Sequence, residues 1–434
     1  MRIHFLGIGG SGASAAAAIA QKQGFEVTGC DLLPGNEFTA NFSKSQLLKG
    51  HDPKHLESHL RGVRTNIDIL AVTPAIFSLD ADNPELLEAK KRGIPVLTWQ
   101  QFVGKYLTKE KFVVAICGTH GKSTTTAMIS QLLEDAQLDP TSILGAIVPK
   151  WKTNFRVGNS KYFVIEADEY NDNFLPLKPD ISVVTNIEMD HPEYFENFDA
   201  YKESFKKFML QTKSTIVANL LDSGVAEVLK NAMKENATTS VDYSKNDLEV
   251  DLKIPGEYNK LNALAAMQVG LLLGISPQII KNSLSSYSGI GRRFEYIGQF
   301  KGAKVYSDFG HHPTEIRETL KAAREKFPGN RIIVIYQPHM FSRTKFLFDD
   351  FIKVFKEAPV DEIFIMDIYQ SREIDRGEIN SKQLVDAVGK NTVKYIGSPN
   401  QTLEKLKPEI KKGDIVFFMS AGDTDKLAKE LVLS

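Results

Sequence analysis

Apolar residues along this chain gather into short continuous runs, and between the runs they recur at helical spacing, so strand-like and helix-like stretches alternate along its length. From Arg2 to about Leu107 the runs IHFLG, FEVTGC, IDILAVT and IPVLTW are separated by helix-like stretches such as SGASAAAAIAQKQG and NPELLEAKKRG. A second series begins at FVVAICG and continues through YFVIEAD, ISVVTNI and STIVANL. These runs are apolar throughout rather than at every second position, which predicts parallel strands covered by helices on both faces. Residues 257–274 are apolar at helical spacing, and SPQIIKNSLSSY opens with a serine followed by proline, good chemistry for starting a helix. After SGIGRRF, two short strands around Phe300 to Ala303 precede a third alternation: HPTEIRETLKAAREKF, RIIVIYQP, a helix near Ser342 to Lys356, EIFIMDIY and DIVFFMSAG. The pattern predicts an α/β protein of three domains, 1–107, 108–289 and 290–434, each built on βαβ units.

Composition narrows this reading. A chain of 434 residues is longer than one hydrophobic core usually organises. With 42% hydrophobic and 25% charged residues and no apolar run of bilayer length, a soluble rather than a membrane protein is expected. Met1 leads straight into RIHFLG with no signal-like core, so the expected compartment is the cytoplasm. A net charge of -1 offers no general attraction to nucleic acid. The two cysteines, Cys30 and Cys117, end apolar runs, which favours packed small residues over a disulfide or a thiolate metal site.

Chemistry enters with Gly118-Thr119-His120-Gly121-Lys122-Ser123-Thr124, set between the strand FVVAIC and the helix-forming TTTAMISQLLEDA. Backbone N–H groups at such a turn face phosphate oxygens, Lys122 adds a mobile positive charge and the Ser123 hydroxyl suits Mg²⁺. The usual P-loop has a further glycine where Ile116 stands, so this is a shortened form. The N-terminal GIGGSG, with Gly7, Gly9, Gly10, Ser11 and Gly12, matches a dinucleotide turn, and Asp31 ends the next strand, where a ribose-binding acid is expected. The same geometry holds any pyrophosphate, so NAD and a UDP-sugar both remain open. Glu166-Ala167-Asp168-Glu169 and Asp190-His191 close strand-like runs, where parallel sheets place ligand-binding residues. Arg292, Arg293, Asp308, His311 and His312 cluster at the start of the third domain; paired guanidiniums suit phosphate, while His312-Pro313 also reads as a plain helix start.

Taken together, these motifs resemble the Mur ligases over essentially the full chain, through GIGGSG with SGAS, DNPELLEAKKRGIPVLTW, GTHGKSTTT, EADEYNDNFL, VVTNIEMDH, GEYNKLNALAA, GIGRRFE, DFGHHPTEI, QPHMFSRT, DIYQSREIDRGEINSKQL and SAGD. The resemblance implies a Rossmann-like N-terminal domain, a central P-loop ATPase-like domain and a Rossmann-like C-terminal domain. It implies that the 118–124 loop binds ATP, that Ser123 and Glu166 hold one Mg²⁺ and His191 a second, and that Asn259 and Asn262 lie beside adenine. Arg293 would reach the terminal phosphates, Asp308 the ribose, and His311 and Arg343 the face where the amino acid reacts; Lys122, His191, Arg293 and His311 carry the catalysis. Gly7, Gly9, Gly10, Ser11, Gly12 and Asp31 would hold the UDP-sugar. The implied reaction is amide formation between UDP-N-acetylmuramate and L-alanine through an acyl-phosphate, in peptidoglycan precursor synthesis, with the third domain closing to exclude water. A ligase adding a preformed tripeptide to the same sugar is second, and an NAD-dependent oxidoreductase is the alternative from another class. Ser307, Phe309, Met340 and Ser420 depart from what relatives often carry, and they bear on amino-acid choice. The expected partners are these small molecules, without nucleic acid or membrane, and the expected state is a monomer or weak homodimer.

Overall fold

The computed structural model describes residues 1–434 apart from 59–64, 236–237, 248 and 372, the last of which lies within DIYQSREIDRGEINSKQL. Three sheets carry the fold. The first has five parallel strands in the order Leu47–Lys49, Glu26–Asp31, Arg2–Leu6, Ile69–Val72, Val96–Thr98. The earliest strand lies in the middle, so the strand order reverses beside it and the loop leaving Leu6 opens at the crevice between strand ends. Helix Ser11–Lys22 follows, and its buried residues run from Ala13 to Ala20, mostly alanine, which lets the helix lie close on the sheet.

The second sheet has seven strands in the order Thr153–Arg156, Thr141–Val148, Tyr162–Glu166, Phe112–Cys117, Ile181–Val184, Thr215–Ala218, Thr239–Asp242. All pairings are parallel except that between the first two. The four apolar runs of the sequence are its central strands. Of the three remaining strands, Thr153–Arg156 and Thr239–Asp242 are the edges, where a short or partly polar strand suffices because one side needs no ladder partner, and Thr141–Val148 lies just inside the first of them, paired on both sides.

The third sheet runs Glu295–Phe300, Ala303–Asp308, Ile415–Met419, Ile332–Tyr336, Glu362–Met366, Val393–Gly397, antiparallel only at the first pair. Ile332, Val334 and Tyr336 pack with Ile316, Leu320 and Phe351, whereas Ile333 and Ile335 pack with Leu406, Val416 and Ala428. Both faces of that strand are therefore buried, the physical reason for the unbroken apolar run RIIVIY. The single helix expected near Ser342 to Lys356 is two, Phe341–Phe346 and Phe348–Glu357, divided at Leu347.

The chain forms two compact units, one of Met1–Ile187, Lys202–Asp247 and Ala263–Leu284, the other of Glu188–Tyr201, Leu248–Asn262 and Ser285–Ser434. The first holds two of the sheets and the second holds one. We propose one domain per sheet, with boundaries at 107/108 and 289/290. Among the described residues no helix is long and apolar enough to cross a membrane.

One cap ties a helix to a strand end in the first unit. Asp222 Oδ1 accepts the N–H of Val225 at 2.9 Å, capping helix Ser223–Met233, and the N–H of Ile187 at 3.2 Å. Replacing Asp222 with Ala is expected to cost about 1–2 kcal/mol, since it removes a cap and leaves two donors unmet. A urea titration should show a lower midpoint with an unchanged slope.

Candidate active site

The phosphate-type loop begins where strand Phe112–Cys117 ends, in the middle of the second sheet. Gly118 has φ +136°, and a Cβ there would lie 2.0 Å from Thr185 Oγ1, so no other residue fits. The segment after strand Ile181–Val184 braces the loop from the side. The His120 N–H donates to Asn186 Oδ1 at 2.7 Å, while Thr185 Oγ1 and Asn186 Nδ2 donate to the His120 carbonyl at 2.6 and 3.1 Å. Helix Lys122–Asp135 starts from Gly121 without a side-chain cap. Its first N–H groups therefore face the loop, as anion binding at a helix start requires.

Lys122 Nζ donates to the carbonyls of Gly118 at 2.6 Å and Thr119 at 3.1 Å and pairs with Glu169 at 2.9 Å. Burial works to lower the pKa of this amine, but the carboxylates of Glu169 and Asp168 outweigh it and hold the value above the usual lysine range. Ser123 Oγ donates to Glu166 Oε1 at 3.0 Å, and Glu166 Oε2 accepts the N–H of Gly145 at 2.6 Å. A hydroxyl and a carboxylate in contact at a phosphate loop are the hard oxygen donors that Mg²⁺ prefers, so the residues present fit that ion. The sequence had marked Glu166 for this role; Glu169 as the partner of Lys122, and Thr185 and Asn186 as loop braces, emerge only from the folded chain.

On the first sheet, the GIGGSG turn leads to helix Ser11–Lys22, whose N-terminal residue Gly10 again provides no side-chain cap. Gly7 has φ +83°, and a Cβ there would meet Thr73 at 2.4 Å. Asp31 Oδ2 accepts the N–H of Gly9 at 3.0 Å and Oδ1 that of Leu33 at 3.2 Å. Asn36 Nδ2, a residue not singled out from the sequence, donates to the Gly9 carbonyl at 2.9 Å. Asp31 thus stiffens the glycine turn through its own hydrogen bonds.

The second unit gathers the remaining predicted residues. Asp190 and Arg343 form a buried ion pair, Arg343 Nε to Asp190 Oδ1 at 2.9 Å, and Arg343 Nη1 lies 3.1 Å from His339 Nδ1. Burial would raise the Asp190 carboxyl pKa, yet Arg343 first and His191 next hold it well below the ordinary range. His191 has the left-handed φ of +56° and sits with Nδ1 3.3 Å from Glu193 Oε1. Strained backbone at a non-glycine residue is concentrated at functional sites. The His311 Nδ1 lies 3.2 Å from the Phe309 carbonyl and 3.3 Å from Glu315 Oε2. Both neighbours are acceptors, so the proton belongs on Nδ1 and Nε2 keeps a lone pair. Burial, opposed by Glu315, drives the His311 pKa down to about 3.

Arg293 pairs with Glu315 at 3.2 Å and lies over the Phe309 ring. Arg292, by contrast, donates to the carbonyls of Ser420 and Gly422, both at 2.6 Å, and so clamps the backbone. His312 caps helix Pro313–Lys326, its Nδ1 accepting the Thr314 N–H at 3.3 Å, the plain reading that the sequence had left open. Asp308 is buried, its carboxylate taking the N–H groups of Phe294 at 2.9 Å and Gly310 at 2.8 Å. Asn259 donates to the Pro255 carbonyl at 2.7 Å and accepts from Asn262 at 3.3 Å.

Three family models cover nearly all of this architecture. Residues 2–111 match the Mur ligase family, catalytic domain, residues 116–248 the Mur ligase middle domain, and residues 292–422 the Mur ligase, glutamate ligase domain. The chain belongs to the Mur ligase family. Among curated relatives, the UDP-N-acetylmuramate–L-alanine ligase of Clostridium perfringens is 35% identical, over 99% of this chain and 97% of that one. The enzyme of the same name from Acetivibrio thermocellus is 38% identical, over 98% of this chain and 94% of that one. Among solved structures, the UDP-N-acetylmuramate-alanine ligase of Thermotoga maritima superposes with a TM-score of 0.80 at 26% identity, covering 100% of this chain and 98% of that one. A murein peptide ligase from Psychrobacter arcticus shares the fold at a TM-score of 0.70 and 21% identity, covering 100% of this chain and 98% of that one.

Two charged features of this Mur ligase are open to direct measurement. Replacing Arg343 with Met leaves Asp190 buried and unpaired, which is expected to cost about 3–5 kcal/mol, and adding Asp190→Asn should recover much of that loss in a denaturant titration. For His311 the folded pKa of about 3 lies below the ordinary 6.5, so the unfolded chain takes up the proton first. Stability contributed by this residue is complete above pH 6.5 and falls as the pH drops from there toward 3. Melting curves of His311→Asn against the parent should differ in slope across that window and run parallel above it.

Proposed function

We propose that the chain joins L-alanine to the carboxylate of UDP-N-acetylmuramate, with ATP cleaved to ADP and phosphate, as a step of peptidoglycan precursor synthesis in the cytoplasm. The observation that carries this is the phosphate loop with Lys122 buried against Glu169 and Ser123 on Glu166, in a chain 35% and 38% identical to two relatives bearing that activity as their name. Mg²⁺ held by Ser123 and Glu166, with a second ion at His191, would supply positive charge against that of the transferring phosphoryl group.

The chain's own residues have distinct tasks in this scheme. The helix start at Lys122 and the Lys122 ammonium bind the ATP phosphates, and Arg293 adds a second cation at the terminal phosphate, where charge spreads as the sugar carboxylate attacks. Asn259 and Asn262 flank the adenine and Asp308 the ribose side. The glycine turn at Gly7, Gly9 and Gly10 and the helix start at Ser11 hold the sugar's pyrophosphate, with Asp31 stiffening the turn. Arg343 spends Nε on Asp190 and Nη1 on His339, leaving Nη2 for the carboxylate of the amino acid. The neutral His311 offers Nε2 as a hydrogen-bond acceptor to the incoming amine. That amine attacks the acyl-phosphate, phosphate leaves, and the amide remains.

Addition of a preformed tripeptide is the nearest competitor. An oxidoreductase reading explains GIGGSG but gives no role to Lys122, Ser123 or Glu166, and membership of a ligase family does not favour it. Small molecules are the partners in this scheme, acting on a monomer or weak homodimer.

Incubation with ATP, Mg²⁺ and UDP-N-acetylmuramate plus L-alanine, glycine, L-serine or the tripeptide, read by product mass, should give the L-alanine adduct without any change in nicotinamide absorbance. A product formed only with the tripeptide overturns the specificity. Lys122→Ala should reduce L-alanine-dependent ADP release by at least about a hundredfold. Full turnover in that variant would remove the assigned role of the loop.

A further inference from the structure

We propose that His4, Cys30, His55 and Glu85 form a binding site for one zinc-class divalent cation on the first sheet, apart from the phosphate loop and its Mg²⁺ residues. Each comes from a different element: His4 from strand Arg2–Leu6, Cys30 from the end of the adjacent strand Glu26–Asp31, His55 from the turn Pro53–Leu56, and Glu85 from the first turn of helix Pro84–Arg92. One ligand atom of each lies within 4.8 Å of all the others. Tetrahedral zinc with nitrogen, oxygen and sulfur ligands separates them by roughly 3.3–3.8 Å, so only small side-chain adjustments are needed.

The contacts within the cluster point the same way. Cys30 Sγ lies 3.1 Å and His55 Nδ1 2.9 Å from Glu85 Oε1, and His4 Nε2 is 3.2 Å from Glu85 Oε2. That His4 nitrogen is buried and, although close to Glu85, makes no hydrogen bond. Such an atom is rare in a folded protein unless something else is to engage it. Its other ring nitrogen, Nδ1, sits 2.8 Å from Thr28 Oγ1, the kind of outer contact that orients a metal-binding imidazole.

Charge and access also fit. On binding, Cys30 releases its thiol proton to solvent and a sulfur–metal bond forms. The two charges of the ion then match one thiolate and one carboxylate, with two neutral imidazoles completing a site of no net charge. The side chains of His4 and Glu85 are fully buried, while those of His51 and His55 are 15% exposed, so the ion enters past residues 51–55. His51 Nδ1, 3.4 Å from Cys30 Sγ, is a further nitrogen at that entrance. Only one thiolate is needed, which is why counting two cysteines in the sequence did not reveal the site. Asp31, next to Cys30, holds the N–H of Gly9, so an ion on Cys30 would stiffen the strand end that supports the glycine turn.

The test is a Co²⁺ titration of the full-length, metal-stripped protein. The expected result is one equivalent bound with tetrahedral visible bands and a thiolate-to-cobalt charge-transfer band, displaced by Zn²⁺. The band should vanish in Cys30→Ser, weaken in His55→Ala and persist in Cys117→Ser; circular dichroism checks that each variant folds. One equivalent of Zn²⁺ should also raise the melting temperature of the parent by a few degrees but not that of Cys30→Ser. Absence of the charge-transfer band, or its survival in Cys30→Ser, overturns the site. Cobalt bound only at the Mg²⁺ residues would give no thiolate band and counts as the same negative result.

Discussion

A lysine ammonium held almost out of water is the constraint on which the first unit depends. Lys122 is tolerated inside the loop because two loop carbonyls and the buried Glu169 carboxylate surround its charge. That arrangement dictates the rest. The carbonyls of residues 118 and 119 must turn inward, which only a glycine at Gly118 permits against Thr185. The loop must then be held from outside, and Thr185 and Asn186 do so from the next strand. Glu166 ends the strand on the other side of the central one and Glu169 follows three residues later, so the same sheet that supports the loop delivers its acids.

The second unit solves a related problem with a pair rather than a cage. Arg343 and Asp190 are both almost fully buried, and neither charge would be stable there alone. Around them, Glu315 links Arg293 and His311, one through an ion pair and the other through ring and backbone contacts. A group that touches both a cation and a titratable ring sets the protonation of one by the position of the other. The deep burial that drives the His311 pKa down to about 3 therefore acts on a residue whose ring is already oriented.

Glycine turns at strand ends recur in the first two sheets, and each is stabilised differently. The turn after Leu6 is held by Asp31 and Asn36, and the turn after Cys117 by Thr185, Asn186 and Lys122. Both lead into helices that begin without a side-chain cap, leaving first-turn N–H groups for an anion. The His4, Cys30, His55 and Glu85 cluster reaches the first of these turns through Cys30, the neighbour of Asp31 in sequence. Structure and binding chemistry are thus layered in the same few residues.

Much of this was determined by sequence alone. Unbroken apolar runs such as FVVAIC and RIIVIY, short, rich in β-branched residues and set between helical stretches, point to strands covered on both faces, and GTHGKST and GIGGSG contain the glycines that their turns require. The order of motifs sufficed for the family, because each motif is local and its chemistry depends on neighbours in the chain. What tertiary structure decided are the partnerships between residues far apart. Glu169 rather than solvent meets Lys122, Asp190 meets Arg343 across 153 positions, Arg292 closes on the carbonyls of Ser420 and Gly422, and Arg293 meets Glu315. Edge strands such as Thr239–Asp242, and the break at Leu347, also escaped the sequence pattern, since neither is imposed by hydrophobic periodicity. The reason is the same in every case: a buried charge is stabilised by whichever opposite charge or dipole the fold brings within reach, and spacing along the chain carries no record of that.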